Sequence, residues 1–332
     1  MLRADIGIKE DRIVAVGELH NEKCETEIDA RDCFVCPGIV DVNNHSDTYW
    51  QIFINPALES LVYQGVTTMI GGACGSSLAP LTDPETIESI QKWVNIKRIN
   101  LNWLNVEEFF EAVEQKKLSI NFATLSGHGT IRRGTLKNDM RSLAPRELSY
   151  AKELVSKSLR DGSLGMSTGL VYAHARSAPT EELVALAKVI KEFDGIYVTH
   201  LRDEGINFLG AIEEAIKIAE ESGVRLHISH LKVMGESNWK LFDEGLRLID
   251  HAYERGTDVS FDVFPYTNTG TVLYTLLPEW VSAGGKKLMI QRLKDPGIRQ
   301  RVISEMKKSA IDYSKVEIAI SSLNKTLSRK KI

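Results

Sequence analysis

Two stretches decide the fold of this chain: Gly195-Ile196-Tyr197-Val198-Thr199-His200 and Arg225-Leu226-His227-Ile228-Ser229-His230. Each is a short apolar run that ends in a histidine, which is typical of a buried strand with a polar residue at its carboxyl end. Between them, residues 208–222 have helical periodicity, and Gly223 follows where a helix would end. A strand, a helix and a second parallel strand form the repeating unit of a (β/α) barrel, whose active site lies at the carboxyl ends of the strands. Two histidines at those ends could share one metal ion.

The same alternation of strand and helix continues along most of the chain. It predicts an α/β fold, a (β/α)₈ barrel of which seven strands are recognisable and the eighth is lacking. Residues 4–36 instead predict short strands of a small β-sheet, with a turn at Lys9-Glu10-Asp11 and a third strand at Glu27-Ile28-Asp29. We therefore predict two domains, 1–36 and 37–332. The predicted barrel strands are 34–42, 66–72, 120–126, 164–168, 195–200, 225–230 and 258–264, and the predicted helices are 56–64, 84–94, 106–116, 145–160, 180–193, 208–222 and 239–255.

Bulk composition excludes several classes of protein. The 332 residues are 43% hydrophobic and 26% charged, with a formal charge of −4, which disfavours nucleic acid or an anionic membrane as a partner. No apolar run approaches the roughly 20 residues that cross a bilayer, and no signal sequence begins the chain, so we expect a cytoplasmic protein. Four cysteines are too few for a disulfide scaffold, and the pair Cys33 and Cys36 is expected to be packed or incidental.

A cysteine in a glycine-rich loop adds a third potential ligand to the two histidines. Cys74 lies in the segment 71–80, which follows the predicted strand 66–72. Glycines give such a loop room for close approach, and zinc accepts sulfur and nitrogen donors readily. With His200 and His230 predicted on the same face, a thiolate ligand is favoured over a cysteine that only fills a turn. His227 is expected to face the helices or to pack.

The chain resembles the N-acyl-D-amino-acid deacylase (D-aminoacylase) family of the zinc amidohydrolase superfamily. The matching segments run in order over nearly the whole chain. They are Ala4-Asp5-Ile6-Gly7-Ile8, Pro37-Gly38-Ile39-Val40-Asp41, Gly65-Val66-Thr67-Thr68, Cys74-Gly75 with Ala79-Pro80, Gly127-His128-Gly129-Thr130, residues 164–172, residues 199–204, Ile228-Ser229-His230-Leu231-Lys232 and Phe264-Pro265-Tyr266-Thr267.

This resemblance implies a barrel joined to a small β-sandwich, of which residues 1–36 would be a part. It implies zinc held at Cys74, His200 and His230, and substrate contacts at Tyr172 and Lys232. The implied reaction is hydrolysis of the N-acyl amide bond of N-acyl-D-amino acids, small-molecule substrates, by zinc-activated water.

Two departures from the family bear on activity. The family's first strand ends His-x-His, whereas this chain reads Asn43-Asn44-His45. We therefore expect the second metal site to be absent or weak, and His45 to line the site or to be a weak ligand. The family's catalytic aspartate comes from the eighth strand and is expected beyond Ile332. Asp262 is its nearest substitute by position, without a family role. We thus expect a chain truncated at both ends and inactive when made alone, and assign it no catalytic residue.

Three alternatives remain open. The chain could be a non-catalytic zinc-binding remnant, or one half of a split enzyme whose C-terminal segment is separately encoded. It could also be a cyclic-amide hydrolase of the dihydroorotase or hydantoinase type. Such enzymes use a His-x-His pair and commonly a carboxylated lysine, so the cysteine loop and Asn43 argue against the last alternative.

Overall fold

The structure is a computed structural model that describes residues 3–90, 101–137, 139–263, 266–308, 311–321 and 324–331. The chain divides into two compact units, Met1–Pro37 and Gly38–Ile332. The first unit contains an antiparallel hairpin of β1 (Asp5–Lys9) and β2 (Arg12–Gly17), in which Lys9 lies opposite Arg12, as the predicted turn requires.

One expectation for this first unit is wrong. Residues 27–29 form no strand, and the Ile28 side chain is 84% exposed, because no neighbouring described strand pairs with this segment. Cys33 and Cys36 are free and exposed, which agrees with incidental rather than packed thiols. Their apolar neighbour Phe34 is 83% exposed as well, so this segment has no core to enter.

The second unit is built on parallel strands that follow one another in chain order. One sheet has the order β3-β4-β5 and the other β10-β9-β8-β7-β6, and every pairing in both is parallel. Only Leu125 separates β5 from β6, so these two short strands count as one position. Among the described residues, the two sheets together therefore have seven successive strand positions. The strands are β3 (Ile39–Asp41), β4 (Val66–Gly71), β5 (Asn121–Thr124), β6 (Ser126–Gly127), β7 (Gly165–Gly169), β8 (Ile196–His200), β9 (Arg225–Ile228) and β10 (Val259–Phe261).

Helices connect these strands. Their bounds are α1 (Gln51–Ile54), α2 (Glu59–Val62), α3 (Val106–Glu114), α4 (His128–Leu136), α5 (Pro145–Arg160), α6 (Ala173–Arg176), α7 (Thr180–Glu192), α8 (Phe208–Ser222), α9 (Phe242–Glu254), α10 (Glu279–Ser282), α11 (Gly285–Lys294) and α12 (Pro296–Met306). Short 3₁₀ helices span Pro84–Ile90, Glu236–Leu241, Leu273–Leu276, Tyr313–Lys315 and Lys325–Leu327. No helix in the described ranges is long and apolar enough to cross a membrane.

The seven predicted strands and the α/β class are therefore confirmed, with parallel sheets, although the first strand begins at Ile39 rather than at residue 34. The residues 91–94 of the predicted helix 84–94, the strand residue Phe264 and the motif residue Pro265 lie outside the described residues. Residues 84–90 form a 3₁₀ helix rather than an α-helix.

The main core lies between the sheet and its helices. On α7, Leu183, Leu186, Ala187 and Ile190 are all fully buried, as their helical spacing predicts. They pack with buried residues of α8 and of strands β7 to β9. Burial of both strand faces fixes the register of these strands, and hence the positions of the residues at their carboxyl ends.

Candidate metal centre

The loop after β4 places Cys74 against the end of β7. Gly72 has a φ of +71°, and a Cβ there would lie 2.0 Å from the carbonyl oxygen of Leu125. The Gly72 N–H donates to Asp47 Oδ2 at 2.7 Å, and the Gly75 N–H donates to Ser167 Oγ at 2.9 Å. Cys74 itself has a φ of +53°. The glycines thus allow a tight turn that hydrogen bonds hold on both sides of the cysteine.

The two histidines lie at the carboxyl ends of neighbouring strands. His200 is the last residue of β8, and His230 follows β9 by two residues in a left-handed conformation with a φ of +40°. Their rings are 4.4 Å apart between centroids and nearly perpendicular. Parallel pairing of β8 with β9 therefore brings the two imidazoles side by side.

Cys74, His200 and His230 converge on one point. One ligand atom from each lies within 4.8 Å of the others, and Cys74 Sγ is 3.4 Å from His230 Nε2. Cys74 and His200 are buried, with 4% and 7% of their surface exposed. The buried Nδ1 of His200 has no hydrogen-bond partner among the described residues. A thiol and two imidazoles at such separations fit a zinc ion, which takes sulfur and nitrogen ligands in tetrahedral geometry.

The charges of the cluster are consistent with a metal site. Burial alone would raise the pKa of the Cys74 thiol, but hydrogen bonds with His200, His230 and His45 outweigh it and hold the pKa well below its ordinary value. Burial would lower the pKa of His230, yet Cys74 and Glu204 raise it to about 9. The structure thus favours a thiolate, the form of cysteine that binds metals.

His45 and Asn43 lie on the same cavity as these three residues. His45 hydrogen bonds with the Cys74 thiol, an interaction that raises the pKa of His45 against the lowering effect of burial. The buried Asn43 Oδ1 has no hydrogen-bond partner among the described residues. An amide oxygen therefore stands where the family has an imidazole.

The predicted substrate residues, Tyr172 and Lys232, also line this cavity, whose volume is about 1110 Å³. The Tyr172 ring meets the His200 ring edge to face at 5.4 Å. Burial and the nearby Cys74 raise the pKa of the Tyr172 hydroxyl, which keeps it protonated. Lys232 Nζ lies 2.6 Å from Glu204 Oε1 and 3.0 Å from His230 Nδ1.

Glu204 is the site residue that the sequence did not identify. Its Oε1 lies 3.1 Å from His230 Nδ1 and 3.7 Å from His200 Nε2. Burial would raise its pKa, but His200, His230 and Lys232 lower it to about 2. Its position four residues after His200, in the matched segment 199–204, was the available signal.

His227 on β9 and Asp262 just after β10 support the site. Asp262 Oδ1 accepts the His230 backbone N–H at 2.7 Å, and Asp262 Oδ2 lies 2.9 Å from His227 Nε2. His227 is buried as expected, but through polar contacts, since its Nδ1 also lies 2.9 Å from Ser260 Oγ. Both oxygens of Asp262 are therefore engaged.

Comparisons with known proteins point to one family of relatives. No family model matches the sequence. The D-aminoacylase of Alcaligenes xylosoxydans xylosoxydans is 33% identical over 274 residues, which cover 82% of this chain and 55% of that protein. The chain spans about half the length of the curated relatives it matches.

Two solved structures are similar over about four fifths of this chain. N-acyl-D-glutamate deacylase from Bordetella bronchiseptica, in complex with zinc and a phosphonate mimic of the tetrahedral intermediate, is 30% identical with a TM-score of 0.72, covering 80% of this chain and 55% of that one. D-aminoacylase, whose structure defines a novel subset of amidohydrolases, is 32% identical with a TM-score of 0.70, covering 79% and 54%. The chain belongs to the D-aminoacylase family of the amidohydrolase superfamily.

Proposed function

We propose that this chain takes part in hydrolysis of the N-acyl amide bond of N-acyl-D-amino acids, with one zinc ion held by Cys74, His200 and His230. The observation that carries the proposal is the convergence of these three side chains within 4.8 Å of one another. The substrate class is supported by the activities named for the relatives, D-aminoacylase and N-acyl-D-glutamate deacylase. In the reaction the amide C–N bond breaks, water supplies hydroxyl to the acyl carbon and a proton to the amine, and a carboxylate and a free amino acid result.

The fold that accompanies this proposal is a (β/α)₈ barrel. Seven parallel strand positions in chain order support it, and we propose that β3 to β10 are barrel strands. We likewise propose that residues 1–36 belong to a small β-sandwich and residues 37–332 to the barrel.

Bound zinc would polarise the acyl carbonyl and make water more acidic, the usual contribution of this metal to hydrolysis. The residues around it would bind and orient the substrate. The Lys232 ammonium offers a positive charge to the carboxylate of an N-acyl amino acid, and the protonated Tyr172 hydroxyl is a hydrogen-bond donor at the same cavity. His45 would line the centre and stabilise the Cys74 thiolate.

Asp262 is a poor candidate for the base that accepts a proton from water. One of its oxygens holds the His230 backbone and the other contacts His227. Using Asp262 as a base would disrupt the contacts that position a ligand.

The test is release of free amino acid from N-acetyl-D-methionine and N-acetyl-D-glutamate, with the L-enantiomers as controls. Because the chain spans about half the length of its relatives, the zinc-loaded protein is assayed alone and mixed with the C-terminal half of D-aminoacylase, as a stand-in for a separately encoded segment. Turnover of the D-substrates that is lost in Cys74→Ala would support the proposal. No turnover in either arm, from a preparation that holds zinc, would contradict it and favour a non-catalytic zinc-binding protein.

A further inference from the structure

We propose that Glu204 is a positioning residue, which holds the His230 ring so that Nε2 faces Cys74 and a metal. This inference rests on the proposed zinc site and deepens it. It assigns a role to a carboxylate that contacts both histidine ligands.

The geometry separates the two nitrogens of His230. Nε2 lies 3.4 Å from Cys74 Sγ, whereas Nδ1 lies 3.1 Å from Glu204 Oε1 on the other side of the ring. The Glu204 side chain is only 7% exposed, so it is held within the protein rather than in solvent. A buried carboxylate at this distance is a strong acceptor for the Nδ1 proton.

The chemistry of imidazole then fixes the role of each nitrogen. A neutral imidazole carries one proton, so a histidine that binds a metal through Nε2 must carry its proton on Nδ1. Glu204 can accept that proton in a hydrogen bond, but the Lys232 ammonium, 3.0 Å from Nδ1, is a donor only. A carboxylate behind a metal-bound histidine fixes its tautomer and raises its basicity.

Glu204 also acts on Lys232. With no acceptor beside it, the Lys232 ammonium could donate to His230 Nδ1, which would leave the ring proton on Nε2, facing Cys74. Glu204 Oε1 lies 2.6 Å from Lys232 Nζ, accepts one of its three N–H groups and pairs with its charge. Glu204 therefore accepts from His230 and competes with His230 Nδ1 for the Lys232 ammonium, which favours the tautomer that can bind metal.

The main chain of His230 is held independently of Glu204. Asp262 Oδ1 accepts the His230 backbone N–H at 2.7 Å. Replacing Glu204 should thus free the ring while the backbone stays in place, so the expected effect is on metal affinity rather than on the fold.

The experiment measures zinc affinity by competition with a chromogenic chelator. Glu204→Gln should bind zinc about 10- to 100-fold more weakly than the unmodified chain, the range found when the partner of a ligand is lost. Glu214→Gln is the matched control, because Glu214 is a part-buried carboxylate that pairs with Arg202. It should bind zinc as the unmodified chain does, and circular dichroism of the metal-free proteins checks that both variants fold.

The outcomes distinguish this inference from the proposed function. If the unmodified chain binds no zinc, the proposed metal site fails, and the role of Glu204 with it. If the unmodified chain binds zinc and Glu204→Gln binds it equally tightly, only the role of Glu204 is overturned.

A second readout needs no variant. In nitrogen NMR of the zinc-loaded protein, His230 should show a protonated Nδ1 and a metal-bound Nε2. Zinc bound through Nδ1 of His230 would overturn the inference.

Discussion

Replacing Gly169 by alanine should weaken metal binding without touching a ligand. Gly169 ends β7 and pairs with His200 of β8. A Cβ at this position would lie 2.3 Å from the carbonyl oxygen of Cys74, where ordinary contact begins near 3.4 Å. The nearest obstacle is backbone, and the Tyr172 ring carbon Cδ2 is also only 2.7 Å away, so Cys74 and β7 must separate by about 1 Å.

That displacement is large on the scale of a metal site. A zinc–sulfur bond is about 2.3 Å long, and the loop cannot move freely because the neighbouring Gly75 N–H is bound to Ser167 Oγ. We expect zinc affinity to fall about 10- to 100-fold, as for other losses of ligand positioning. Overpacking of this kind also costs about 1–3 kcal/mol of stability, or a fall in melting temperature on the order of 5 °C.

The assay combines chelator competition with thermal melting. Gly17→Ala is the control, because a Cβ at Gly17 would meet nothing within 4 Å. Its zinc affinity should equal that of the unmodified chain. If Gly169→Ala also binds zinc normally, Cys74 does not need the position that the structure gives it, and the reasoning is refuted.

Two further predictions concern the second metal and the buried ion pair. Asn43→His should raise the metal content above that of the unmodified chain, because it places a second imidazole beside His45. An unchanged metal content after dialysis would show that Asn43 is not what limits binding of a second metal. Glu182→Gln should lower the free energy of unfolding in urea by about 3–5 kcal/mol, because it removes the charge that pairs with fully buried Arg132 at 2.5 Å. Burial would raise the pKa of Glu182, but His128 and Arg132 lower it below its ordinary value of 4.5. The stabilisation from this ion pair is therefore complete above about pH 4.5, and it is lost as the pH falls through the lowered pKa of the folded protein. The difference between the two proteins should therefore shrink in acid, and a difference that does not change with pH would contradict this explanation.

The sequence predicted elements well where local signals and core burial agree. Helices α5 and α8 have the predicted bounds, since α5 begins at a proline and α8 ends before Gly223 in a left-handed conformation. The strand expected at residues 27–29 is absent because strand propensity alone does not supply a pairing partner.

The candidate site was predictable in part. Strand ends and a glycine-rich loop pointed to Cys74, His200 and His230, and the structure brings them together. Glu204 was missed because it lies in a loop, where no periodicity shows which way a side chain faces. Its contact with His230 depends on the pairing of β8 with β9, which is a property of the tertiary fold.

The most direct test of the metal centre is the metal content of the purified protein after dialysis. Elemental analysis should give close to one equivalent of zinc for the unmodified chain and none for Cys74→Ala. Cys36→Ala, which removes an exposed thiol, should keep the full equivalent. Zinc retained at full content by Cys74→Ala would contradict the assignment of Cys74, His200 and His230 as the metal ligands.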